Sequence, residues 1–118
     1  MYRHYNANPL NNNTADCTVR AISTAEEKTW DETYRKLSRL AQRQGVIFDD
    51  VTFIEDYLDK RYPRQCHYSI TVGEFMEKYP TGTYLITMQG HITCVKDSIL
   101  IDTFDCRDRK MWCCWQVK

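Results

Sequence analysis

From Asp16 onward, Cys17, Val19, Ala21, Ile22 and Ala25 recur at the spacing of one buried helical face, with Thr14 or Asp16 placed to cap its start. Cys17 then falls in the first turn. A second helix is predicted over Trp30–Gln44, with Thr29 as N-cap, Asp31 and Glu32 in the positive first turn, and Gly45 as the stop. Trp30, Tyr34, Leu37 and Ala41 form its apolar stripe, opposite a face of Arg35, Lys36, Arg39 and Arg43 that reads as solvated surface. A third helix over 50–61 turns Phe53, Ile54, Tyr57 and Leu58 inward and ends before Pro63. Thr71-Val72-Gly73-Glu74 has the form of a capping box, opening a short helix that Tyr79-Pro80 closes.

Beyond Gly82 the period shortens to that of strands. Four segments, 83–88, 91–95, 99–102 and 111–117, carry β-branched and aromatic residues, and Gln89-Gly90 and Lys96-Asp97-Ser98 suit hairpin turns. Helices first and an antiparallel sheet after make an α+β arrangement, with the N-terminal helices packed on the sheet. The first fifteen residues, with Asn8-Pro9 and Asn11-Asn12-Asn13, read as a loop. A length of 118 residues fits one domain spanning 1–118.

Charge narrows the partners. Sixteen basic residues balance sixteen acidic ones, and no Lys/Arg stripe is dense enough to track phosphates, so no nucleic acid is expected. No apolar run is long enough to span a bilayer and no signal peptide is visible, which predicts a cytoplasmic protein without a membrane partner. In that compartment the six cysteines are expected to be reduced rather than paired. They also lack a C-x-x-C pair, and the doublet Cys113-Cys114 on a strand points to opposite faces, so no metal site and no cofactor are expected.

The candidate chemistry lies in a thiol, an imidazole and a carboxylate in the order Cys17, His91, Asp102. A thiol attacks carbonyls only as thiolate, and a helix N-terminus with a neighbouring imidazole supplies what lowers its pKa. His91 opens one strand and Asp102 lies on the next, which brings a carboxylate beside the imidazole to fix its tautomer. Cys17 by itself reads as a small buried helix residue; the joint order of the three makes the site. His67, beside Cys66 in an apparent strand, and His4 are the competing bases. Asp105 is the rival carboxylate but lies past the strand. Asp16 would raise the thiol pKa if its charge were close, and reads instead as a cap pointing away, with Arg20 pairing to it at i,i+4.

Cys at a helix start, Gly90-His91 opening a strand and Asp102 on the following strand resemble the papain-like cysteine peptidase superfamily, including its transglutaminase-type branch. The pieces Asn6-Ala7-Asn8-Pro9, Asp16-Cys17-Thr18-Val19-Arg20-Ala21-Ile22, Thr71-Val72-Gly73-Glu74-Phe75, Gly82-Thr83-Tyr84, Gly90-His91 and Asp102-Thr103 look like a family of small uncharacterised phage and prophage proteins. This resemblance implies a papain-like domain acting as a cysteine-dependent hydrolase or acyltransferase on an amide, isopeptide or thioester bond of a protein or peptide substrate. The setting implied is the cytoplasm of the producing or infected bacterial cell. The superfamily carries a Gln or Asn shortly before the nucleophile to bind the oxyanion; no Gln stands there in this chain, which leaves Asn8, Asn13 or Asn6. The competing expectation is a non-catalytic interaction module, a host-factor inhibitor that keeps the scaffold without turnover.

Overall fold

The computed structural model describes residues 1–118. Its elements run β1 (Tyr2–His4), α1 (Cys17–Glu26), α2 (Trp30–Gln44), α3 (Val51–Asp59), β2 (Arg64–Cys66), α4 (Val72–Lys78), β3 (Thr83–Met88), β4 (His91–Lys96), β5 (Ile99–Asp102) and β6 (Cys113–Gln116). The result is an α+β fold of four helices and a six-stranded sheet in the order β1-β5-β4-β3-β6-β2.

Local chemistry sets the helix limits. Thr29 and Glu32 form a reciprocal capping box, Glu32 N donating to Thr29 Oγ1 at 3.1 Å and Thr29 N to Glu32 Oε1 at 3.2 Å, and Thr71 with Glu74 repeats it on α4. Asp50 caps α3 by accepting from Phe53 N at 3.2 Å. Gly45 ends α2 at φ 71°. Each such cap is worth about 1 kcal/mol. In α2 the fully buried positions are Thr33, Leu37 and Ala41, so the predicted stripe is rotated: Tyr34 is exposed, and its ring lies against Trp30 and Phe48 at the surface.

Alternation along the strands divides the core in two. Leu85, Ile92, Cys94, Cys113 and Trp115 pack with residues of α1, α2 and α3, while Tyr84, Ile86, Met88, Val95, Leu100 and Cys114 pack with Val72, Phe75 and Met76 of α4. Neighbours in sequence therefore serve opposite layers, as period two requires. With both faces covered, β3 is buried at every position but Thr87 and β4 at every position but His91 and Lys96.

Three expectations change here. The sheet is mixed: β1 pairs parallel with β5, with His4 opposite Asp102, so part of the anticipated N-terminal loop is an edge strand. β2 closes the other edge, antiparallel to β6. Cys66 and Cys113, directly opposite across that pair, are joined as a disulfide, where reduced thiols were expected. A three-residue strand such as Arg64–Cys66 carries too little periodicity to announce its partner, and cross-strand pairing is what places the two sulfurs together. Cys17, Cys94, Cys106 and Cys114 remain free.

Candidate active site

The β3–β4 turn, the open end of the β4–β5 hairpin and the start of α1 meet at one end of the sheet. Met88 pairs with His91 across Gln89-Gly90, and Gly90 takes φ 70°. A Cβ at Gly90 would meet nothing within 4 Å, so the backbone conformation is what calls for glycine, rather than space for a substrate. Asp97 and Ser98, both at positive φ, form the two-residue turn that pairs Cys94 with Ile101. One residue further, Asp102 falls opposite Thr93 and diagonal to His91.

That register brings the carboxylate to the ring. His91 Nε2 lies 2.7 Å from Asp102 Oδ2, and both side chains are about 95 % buried: 6 % and 5 % exposed. Thr93 Oγ1 donates to the same oxygen at 2.7 Å, and Thr103 N donates to Oδ1 at 2.7 Å. Burial pushes the Asp102 carboxyl up, but hydrogen bonds from His91 and Thr93, the imidazolium charge and the Thr103 N–H outweigh it and leave it below the ordinary carboxylate value.

Cys17 completes the row as the first residue of α1. The sulfur faces the His91 ring and the backbone N–H of Ile92, and both favour its anion. Burial raises its pKa, and Asp49 raises it further, yet those two neighbours and the imidazolium charge bring the thiol below its ordinary value. His91 is pushed up to about 11: burial opposes, while the hydrogen bond to Asp102, the neighbouring Cys106 and Cys17 sulfurs and the Asp102 charge prevail. The contrast with two other free cysteines is sharp, since burial drives Cys94 up to about 12 and Cys114 to about 11.

The helix start is bare. Neither Thr14 nor Asp16 caps it; Asp16, at the N-cap position, has no side-chain cap bond, so the N–H groups of the first turn keep no partner within the helix. The Asp16 carboxylate turns away as expected, but into a buried network: Oδ2 accepts from Trp30 Nε1 at 2.9 Å and Asn8 Nδ2 at 3.4 Å. Arg20 Nε stands 2.9 Å from Asp16 Oδ1 as an ion pair without hydrogen-bond alignment. Arg20 also reaches the triad side, Nη1 donating to Thr103 Oγ1 at 2.6 Å and lying 3.5 Å from Asp102 Oδ1.

The three asparagines lie elsewhere. Asn6 Oδ1 accepts from Asn8 N at 3.0 Å and its amide donates to Asn12 O; Asn8 Oδ1 accepts from Leu10 N at 2.9 Å. Asn13 is exposed, and none of the three lines the cavity at Cys17. His67 packs against Phe75 and Tyr79, His4 is exposed on β1, and Asp105 pairs with Arg107, which leaves His91 and Asp102 as the base and carboxylate beside the thiol.

Sequence reading missed several members. Thr93, Thr103, Arg20 and the ring of Phe104, 4.7 Å from the His91 ring, surround the pair. Cys106, fully buried, contributes a ligand-type atom that lies with those of His91 and Asp102 inside a 4.8 Å span. The set suits a proton network better than an ion: His91 and Asp102 meet at hydrogen-bond length, both Asp102 oxygens already accept, and Arg20 brings a positive charge beside them. Only Thr93, two residues after His91 and hence on its face, had a usable signal in the period-two rule.

Comparisons with protein-family models, curated proteins and solved structures give no match. No helix is long and apolar enough to cross a membrane.

Proposed function

We propose that the protein is a cysteine-dependent hydrolase or acyltransferase with a papain-like fold, in which Cys17 is the nucleophile, His91 the proton carrier and Asp102 the orienting carboxylate. One observation carries the reading: Cys17, at the start of α1, shares a cavity wall with His91, whose Nε2 lies 2.7 Å from Asp102 Oδ2. In that setting the thiol is lowered and the ring raised, the directions that favour a thiolate–imidazolium pair. His91 Nε2–H donates to Asp102, leaving Nδ1 as the nitrogen that exchanges a proton with Cys17 and the leaving group.

In this scheme the thiolate attacks the acyl carbon, forming a C–S bond as the carbonyl electron pair moves onto oxygen. The unpaired N–H groups at the start of α1 face that oxyanion in place of an asparagine side chain. Collapse breaks the bond to the amine or thiol, which takes the His91 proton, and leaves an acyl-enzyme. Water or an amine then attacks the thioester and gives a proton to His91; the C–S bond breaks with its electron pair returning to sulfur, which releases the acid or new amide and restores the thiolate–imidazolium pair. The buried network of Arg20, Asp16 and Trp30 fixes the helix start relative to Asp102.

Labelling with iodoacetamide near pH 6 tests the reading. There a free thiol of pKa about 8.5 is only about 0.3 % thiolate, so Cys17 is expected to alkylate at least about tenfold faster than glutathione, allowing for the lower nucleophilicity of a low-pKa thiolate. Equal rates would refute an activated nucleophile. The interaction-module reading draws on the engagement of Asn6 and Asn8 within their own loop; it requires Cys17→Ala to keep its biological effect, whereas the enzyme reading requires the effect to vanish.

A further inference from the structure

The cavity that exposes Cys17 has a volume of about 210 Å³ and an uneven wall. Val51, Ile54, Met88, Ile92 and Trp112 make it largely apolar. Its acidic groups are Asp49 and Glu55, and no Lys or Arg lines it. Asp49 forms no ion pair; it accepts only a long bond from the Thr18 hydroxyl, at 3.4 Å. Glu55 meets Arg64 at 3.7 Å, beyond hydrogen-bond length, and is 34 % exposed.

Asp49, itself exposed to solvent, sets a negative charge on the wall that also carries Cys17. Its charge works against the anion that the His91 ring and the Ile92 N–H stabilise. A carboxylate at that position costs reactivity in the free protein, and the cost disappears when a positive charge arrives beside it. The apolar wall adds a second preference. Val51 is 61 % and Trp112 39 % exposed at the mouth, offering an aliphatic and an aromatic surface to a methylene chain, and an indole face also attracts a cation.

Resting on the acyl-transfer reading above, we propose that this cleft selects substrates of lysine or arginine type next to the reacting carbonyl, the methylene stem lying on Val51, Ile54 and Trp112 and the cationic head meeting Asp49 and Glu55. The arriving cation neutralises Asp49 and so favours the Cys17 thiolate in the complex. Recognition and activation are then one event.

Three chloroacetamides of equal length, ending in an ammonium, a methyl group or a carboxylate, probe this on the full chain, with adduct formation at Cys17 followed by mass spectrometry and each rate divided by that for glutathione. The cationic probe is expected to react about tenfold faster than the neutral one, and the anionic probe more slowly than either. Half-molar salt should compress the spread. In Asp49→Asn the cationic advantage should fall to about twofold, and Glu55→Gln should take a smaller share. A neutral probe that reacts at Cys17 faster than with glutathione, with no preference among the three charges, overturns the selectivity and leaves the nucleophile standing. A preference that survives in the Asp49→Asn, Glu55→Gln double variant also overturns it. Three probes that all react no faster at Cys17 than with glutathione overturn both.

Discussion

Removing the Cys17 sulfur should uncover a pH dependence of stability that the intact pair conceals. His91 has a folded pKa raised to about 11 from an unfolded value of about 6.5, so its stabilising contribution is complete below pH 6.5 and fades as pH rises toward 11. Cys17 has a depressed folded pKa against about 8.5 unfolded, so its contribution is complete above 8.5 and fades as pH falls through the folded value. Over the part of pH 6.5–8.5 that lies above the lowered folded value of Cys17, the folded protein holds one proton on the ring and none on the sulfur, while the unfolded chain holds none on the ring and one on the sulfur. The counts match, and the two slopes cancel.

In Cys17→Ala the ring keeps Asp102 and Cys106, so the folded state binds one proton more than the unfolded state across that window. Stability should then fall by up to about 1.4 kcal/mol per pH unit, or about 2.7 kcal/mol between pH 6.5 and 8.5 relative to the intact protein. Urea titrations of both proteins, with the Cys66–Cys113 disulfide intact, read this as a midpoint difference that grows by roughly 1–3 M across the window, for an m-value of about 1–3 kcal/mol/M. Groups common to both proteins drop out of the comparison. An intact protein as steeply pH-dependent as the variant would mean that the thiol is protonated at rest. Flat behaviour in both would mean that His91 is not raised.

Two further outcomes follow from other contacts. Arg20→Gln should move the pH midpoint of Cys17 alkylation upward and slow the reaction at pH 6 severalfold, with Arg20→Lys recovering part of the loss; a change in stability with an unmoved alkylation profile would make Arg20 purely structural. Replacing Cys66 and Cys113 together by serine opens a loop closed over a sequence separation of 47 and should cost about 2–4 kcal/mol by urea titration, and an unchanged midpoint would contradict the pairing.

How far the sequence foretold this arrangement depended on how local the signal was. Thr29, Gly45, Asp50 and Thr71 act within one turn of the residues that reveal them, so the helix limits could be read directly. The β3–β4 and β4–β5 hairpins were equally legible, and with them the nearness of His91 to Asp102. The short edge strands were not, because three residues cannot display a period and their partners lie far along the chain, 98 residues away at Tyr2↔Leu100 and 47 at Cys66↔Cys113.

 That last separation, 47 residues between Cys66 and Cys113, is why the disulfide stayed hidden. Arg20 was visible only as a partner for Asp16 at i,i+4. Its reach to Thr103 and Asp102 depends on how α1 docks against the end of β5, which helical spacing along one segment does not encode. The asparagine loop shows the converse: its residue types were noticed, but the Asn6 and Asn8 side chains bond the backbone around them and, from Asn8, the Asp16 carboxylate.

Cys17 and His91 are 74 positions apart (91 − 17) and meet only where α1 lies over the start of β4. On a nascent or partly unfolded chain the sulfur has neither the ring nor the Ile92 N–H, and behaves as an ordinary thiol. Reactive chemistry is thus withheld until the last long-range docking is complete, and the rate at which mildly acidic alkylation becomes possible during refolding is a clock for that event.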